Sequence, residues 1–120
     1  MERREAQLNG MNVSPDCDVV HISRTATYTS DTLEVFEQIV RVDTETVDGT
    51  FSLALPSVAL AKGKIYDITL ADDHGDLTLT DNADDAGMTD IVFDTEGDYV
   101  VLLSNGYTWR ALVGDVASGI

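Results

Sequence analysis

Gly97-Asp98-Tyr99-Val100-Val101-Leu102-Leu103-Ser104-Asn105-Gly106-Tyr107-Thr108-Trp109-Arg110-Ala111-Leu112-Val113 reads as a β-hairpin. Residues 99–104 form the outgoing arm and residues 107–113 the return. Asn105-Gly106 supplies the two positive φ values of a type I′ turn. The outgoing arm is apolar at successive positions, which predicts cover on both faces. The return arm alternates, so Tyr107, Trp109, Ala111 and Val113 share one face and Thr108 and Arg110 the other. The single tryptophan of the chain is thereby placed beside a tyrosine at the base of a sheet core. Val101, Leu103, Tyr107 and Trp109 are the candidates for core or for an oligomer interface, because aromatics alternating on a strand usually serve one of these roles. A sugar-stacking platform made by Tyr107 and Trp109 is the functional alternative.

Working outward, the same strand signature recurs. Val19 to Ser23 alternates and residues 25–29 continue with β-favouring side chains, up to a turn or cap at Ser30-Asp31. Leu33, Phe36, Ile39 and Val40 fall at helical spacing, whereas residues 39–43 suit a strand; a short helical turn running into a strand satisfies both patterns. Phe51, Leu53 and Leu55 alternate against polar neighbours until Pro56 stops the strand. Residues 57–62 make one helical turn closed by Gly63. The next strand, residues 64–70, buries Tyr66, Ile68 and Leu70. A tight turn at residues 72–76 then returns residues 77–80 as its partner, and residues 91–93 form a further short strand. About eight short strands with turns every ~8–12 residues indicate an all-β fold, a small antiparallel β-sandwich, jelly roll or barrel. Strand periodicity begins only at Val19, so residues 1–18 are read as an N-terminal arm and residues 19–120 as one β domain.

Composition narrows function mainly by exclusion. The chain has 120 residues, enough for one domain, and 43% of them are hydrophobic, enough for one core. Seven Lys and Arg face 22 Asp and Glu, for a net charge of −15. Half of the acids lie in residues 67–98, a stretch with no Lys or Arg. Nucleic acid is excluded as a partner, since affinity for it comes largely from neutralising phosphates with basic groups, and an anionic membrane surface is excluded on the same grounds. No apolar run approaches the roughly 20 residues that span a bilayer. Met1-Glu2-Arg3-Arg4-Glu5 lacks the apolar run of a secretory signal, so a soluble, non-exported product is expected. Such acidity suits a marine or hypersaline setting, where salt screens self-repulsion. It equally suits an ordinary acidic protein kept soluble by charge. Cys17 stands alone and cannot form an intrachain disulfide.

Chemistry-bearing groupings are sparse. Asp72, Asp73 and Asp76 lie close in sequence, and Asp81, Asn82, Asp84 and Asp85 form a second acidic group. Calcium takes oxygen ligands from such loops, and the first three are the candidate ligands of a structural cation. Neither group has the spacing of a Ca²⁺ loop, and a solvated acidic rim with no cofactor is the expectation. His21 and Ser23 share a strand face, but nucleophile-elbow glycines are missing and the chain has only two histidines. No enzymatic activity is expected.

Residues 50–113 carry a connected set of motifs. Leu55-Pro56 ends a strand, Gly63-Lys64-Ile65-Tyr66-Asp67-Ile68 opens the next, acidic turns follow, and the hairpin from Gly97 to Trp109 closes the set. In this outline the chain resembles a recurring β module of tailed-virus virion proteins, found in head decoration (cement) proteins, head fibres and tail-fibre domains. The resemblance implies a structural role on the capsid surface of a virion made in the host cytoplasm. It also implies a homotrimer attached to the major capsid protein or another virion protein. The alternative it implies is a receptor- or glycan-binding domain of a viral fibre or spike. On the capsid reading Arg3, Arg4 and Leu8 of the arm are the candidate contacts, the arginines seeking carboxylates.

Overall fold

The computed structural model describes residues 19–25, 27–44, 49–72, 75–83, 85 and 88–119. The arm candidates Arg3, Arg4 and Leu8, and Asp73 of the acidic turn, lie outside the described residues. Nine strands make up the fold: β1 (Val19–Ser23), β2 (Ser30–Thr32), β3 (Ile39–Asp43), β4 (Phe51–Ala54), β5 (Ile65–Asp72), β6 (Leu77–Thr80), β7 (Ile91–Phe93), β8 (Tyr99–Ser104) and β9 (Trp109–Asp115). They form a five-stranded sheet, β1-β3-β5-β8-β9, and a four-stranded sheet, β2-β4-β6-β7. The protein is all-β, and its two sheets enclose one core without closing into a barrel.

The expected antiparallel order is corrected. β1–β3, β3–β5, β2–β4 and β4–β6 pair in parallel. Only β5–β8, β6–β7 and β8–β9 are antiparallel. The chain crosses to the opposite sheet after each of its first five strands instead of turning back. Strands two apart in sequence therefore become neighbours running the same way, each crossover being supplied by a strand of the other sheet. The predicted return of residues 77–80 onto β5 is overturned for this reason. The crossing is tight enough to demand glycine: a Cβ on Gly75 would stand 1.9 Å from the Gly49 carbonyl oxygen. Gly75 N–H also donates to the Thr44 hydroxyl at 3.2 Å, which in turn donates to the Gly75 carbonyl at 3.0 Å.

Register lays the core down in layers. Ile68 pairs with Val40 on one side and Val100 on the other, Leu77 on the facing sheet pairs likewise with Phe51 and Phe93, and all six are buried. The alternation read for residues 51–55 and 66–70 is the observed pattern, with Phe51, Leu53, Leu55, Tyr66, Ile68 and Leu70 all buried. Two local expectations differ. Ser30 and Asp31 belong to β2 itself, paired with Ser52 and Leu53. The helical spacing of residues 33–40 yields only a turn closed by Glu37 N–H on the Glu34 carbonyl, 3.0 Å. Phe36 consequently points to solvent while Leu33 and Val40 are buried.

The hairpin is present, with its tip moved. Ser104 pairs with Trp109, and Asn105 N–H donates to the Thr108 carbonyl at 3.2 Å. Gly106-Tyr107 is thus the central pair of the turn, Gly106 having φ +92°. Asn105 acts through its side chain, whose Oδ1 accepts from Tyr107 N–H at 2.9 Å and Thr108 N–H at 2.8 Å. Further along, Val101 pairs with Val113 but Leu102 with Ala111, so Leu112 is a bulge residue. The extra residue turns Val113 to the outer face, away from Trp109, and breaks the predicted four-residue alternation.

Candidate functional site

Three connections meet at one end of the sandwich: residues 57–63 between β4 and β5, residues 81–90 between β6 and β7, and residues 105–108 at the hairpin tip. Ser104 is the hub that joins them. It is fully buried, and its hydroxyl donates to the Val58 carbonyl at 2.6 Å while accepting from Gly106 N–H at 3.2 Å. Its carbonyl accepts from Gly63 N–H at 2.7 Å. Val58 N–H in turn donates to the Asp85 carboxylate at 2.9 Å. The turn at residues 57–63 is the single helical turn expected, with Ala61 N–H on the Ser57 carbonyl at 3.0 Å and Gly63 at φ +79°. The Lys62 stem lies under the tip, within 3.0 Å of where a Gly106 Cβ would be.

This scaffold holds open a cavity of about 100 Å³ lined by Val58, Asp81, Asp85, Met88, Tyr107, Thr108 and Trp109. Tyr107 is 84% exposed at its rim, which removes it from the core role the alternation gave it. Trp109 is half-buried and packs edge-on to Tyr66, with ring centroids 5.4 Å apart and planes at 82°. The indole Nε1 is sealed from solvent and has no hydrogen-bond partner, so Trp109 offers the cavity ring surface and no donor. Among the described residues the Asp81 carboxylate makes no hydrogen bond or ion pair, and the Asp85 carboxylate accepts only from Val58 N–H.

The remaining predicted residues are not gathered here. Val101 and Leu103 stand half-buried on the outer face of the five-stranded sheet. Register places Val19, Ile39, Asp67, Val101 and Val113 in one row across that face, flanked by Ile65 and Leu103. Val19, Leu112 and Val113 are 44%, 53% and 51% exposed. Arg41 and Arg110 lie on the same face, as do Asp43, Asp67 and Asp115. The other sheet turns Ser30, Ser52 and Thr78 outward, a hydroxyl surface with no such aliphatic row. His21 and Ser23 share the outer face of β1, as expected, and neither makes a side-chain hydrogen bond. Of the acidic turn, Asp72 is half-buried and Asp76 exposed, and among the described residues no three His, Cys, Asp or Glu side chains group so as to hold a metal ion.

Sequence reasoning singled out Tyr107, Trp109, Asp81 and Asp85 separately but did not bring them together, and it passed over Ser104, Val58 and Met88. Ser104 carried the one available signal, a lone polar residue ending an apolar strand beside a turn. Comparison of the chain with protein-family models and with curated proteins gives no match in either case.

Proposed function

We propose that this chain is a structural virion protein, a capsid decoration protein that binds the outer surface of a viral head and self-associates as a trimer. The observation that carries the reading is the outer face of the five-stranded sheet. It exposes a row of aliphatic side chains interrupted only by Asp67 and carries Arg41 and Arg110 on the same surface. A chain of net charge −15 repels its own copies over most of its surface. The face where Arg41 and Arg110 sit among Asp43, Asp67 and Asp115 carries cations that the acid-only stretch of residues 67–98 lacks, and its occupant is a second copy of the same chain. The motif outline of residues 50–113 supports the virion setting. The test is solution mass by light scattering for the full chain and for Val101→Asp, followed by cosedimentation with capsids. A trimer that becomes a folded monomer in Val101→Asp supports the reading. A wild-type monomer that does not sediment with capsids rejects it.

A second reading, a receptor- or glycan-binding domain of a fibre, draws on the exposed Tyr107 beside Asp81 and Asp85 at the cavity. Saturable protection of Trp109 fluorescence from a soluble quencher by a sugar is the result that favours it.

A further inference from the structure

The cavity under the hairpin tip has walls of unequal chemistry, and that inequality selects a ligand. Its carboxylates are uncompensated: among the described residues Asp81 has no partner, and Asp85 keeps one oxygen after accepting from Val58 N–H. The N–H donors that a polar ligand would need are withdrawn. Tyr107 and Thr108 N–H both point to Asn105 Oδ1, Val58 N–H is held by Asp85, and the indole Nε1 is sealed inside. What remains is aromatic surface from Tyr107 and Trp109, the thioether of Met88, the hydroxyls of Tyr107 and Thr108, and a surplus of acceptors from the two carboxylates. A sugar wants many donors and acceptors together, and two hydroxyls beside two carboxylates serve it less fully than they serve a cation. A planar cation suits this wall well, because a guanidinium stacks on an aromatic face while its N–H fork serves carboxylates. Size agrees: about 100 Å³ is room for roughly three waters, the scale of a side-chain tip and not of a sugar ring with its substituents. Both carboxylates come from the acid-only stretch of residues 67–98, so the local field favours a cation. Among the described residues Lys62 lays its stem across Gly106 and forms no ion pair with either carboxylate.

We infer that this cavity is a receptor for the guanidinium group of an arginine side chain, stacked on Tyr107 and hydrogen-bonded by Asp81 and Asp85. Two sources present that group: an arginine of a partner protein, and Arg3 or Arg4 of this chain. The inference does not depend on the capsid reading, since its test needs no capsid.

Methylguanidinium is titrated into the full chain, read by Trp109 fluorescence and by the amide resonances of Tyr107 and Thr108. Saturation in the millimolar range, on the order of what one stacked and hydrogen-bonded group supports, is expected. Tyr107→Ala and Asp81→Asn should each weaken it about fivefold. Both variants will fold, because Tyr107 is exposed at a loop tip and Asp81 has no partner among the described residues. Tighter probe binding by Arg3→Ala/Arg4→Ala identifies the chain's own arm as the competing occupant, and unchanged binding assigns the arginine to a partner protein. Absence of saturation below about 0.1 M, or saturation that ignores both Tyr107→Ala and Asp81→Asn, overturns the inference. So does equal affinity for tetramethylammonium, which cannot hydrogen-bond. Saturable binding of galactose or Ca²⁺ at these amides without any guanidinium response would reassign the cavity to a glycan or a metal ion.

Discussion

Tyr66 lies at the floor of the core, its ring fully buried and its hydroxyl donating to the Val35 carbonyl at 2.6 Å. Burial disfavours the phenolate and pushes its pKa up to about 12 from the ordinary 10.0. The folded state therefore holds its proton more tightly than the unfolded chain does. The stabilisation linked to that proton is fully present below pH 10 and is lost as pH climbs through 10 toward 12. A shift of this size corresponds to about 2–3 kcal/mol. Tyr66→Phe should cost about 1 kcal/mol at pH 8 through the lost hydrogen bond, and the gap to wild type should narrow steadily above pH 10. Urea midpoints from pH 8 to 11.5 check this, and parallel pH slopes for the two proteins would contradict it. Tyr28, whose hydroxyl donates to Asp31, is also raised to about 12, first by desolvation and then by that carboxylate, so a shallower slope persists in the variant. Ser104 gives a second test at this scale. Ser104→Ala leaves the Val58 carbonyl without its 2.6 Å donor and should destabilise by about 1–3 kcal/mol. Because Ser104 also fixes Gly106 and so the cavity rim, it should weaken methylguanidinium binding too.

The hairpin formed by β8 and β9 is the element on which both proposed surfaces depend, since its tip borders the cavity and its outer side chains continue the aliphatic row. Gly106 at φ +92° occupies backbone space that a β-branched residue resists, and a Cβ there would press on the Lys62 stem at 3.0 Å. Gly106→Val should lower stability by about 1–3 kcal/mol, with Trp109 fluorescence shifting at denaturant concentrations where the rest of the sheet survives. Thermal unfolding followed by fluorescence and by circular dichroism measures the two together. How much of this element sequence made legible follows from the range of the forces involved. Apolar arms and a turn glycine are local, and they placed β8 and the hairpin correctly. The tip moved by one residue because the Asn105 side chain, not its backbone, satisfies the turn, a choice that period-two alternation does not encode. Leu112 became a bulge against β8, and Val113 turned outward with it. The parallel pairings were out of reach for a related reason. Whether Leu77 packs beside Asp72 or crosses to Phe51 depends on Gly75 slipping past Gly49, a contact between residues far apart in the chain. The site suffered most, because Asp81, Asp85, Tyr107 and Trp109 come from separate connections that only the crossovers bring to one end.

At the scale of the molecule, charge and assembly oppose each other. Net −15 on 120 residues resists both folding and association, and screening should relieve both. Melting temperature should rise steadily across a monovalent salt series, with or without chelator, and a gain that requires divalent ions would point instead to a bound cation. The outer sheet face should then associate more tightly in high salt, since its aliphatic row is unaffected by screening while repulsion between copies falls. An arm-mediated attachment should respond in the opposite sense. On the capsid reading, contacts from Arg3 and Arg4 to a partner's carboxylates would be surface ion pairs, and such pairs are worth about 0–1 kcal/mol each and are weakened by salt. Their strength must come from many copies engaging one repeating lattice. Strand periodicity in the sequence begins only at Val19, and among the described residues β1 already buries Ile22 in the core, so the body should fold without residues 1–18. Deleting residues 1–18 should leave circular dichroism and trimer mass unchanged in high salt and reduce cosedimentation with capsids, most at low salt where arm ion pairs are strongest. Unfolding of the truncated chain would place the arm in the core. Full capsid binding by the truncated chain would move attachment onto the β body, where the cavity beneath Tyr107 becomes the surface to mutate next.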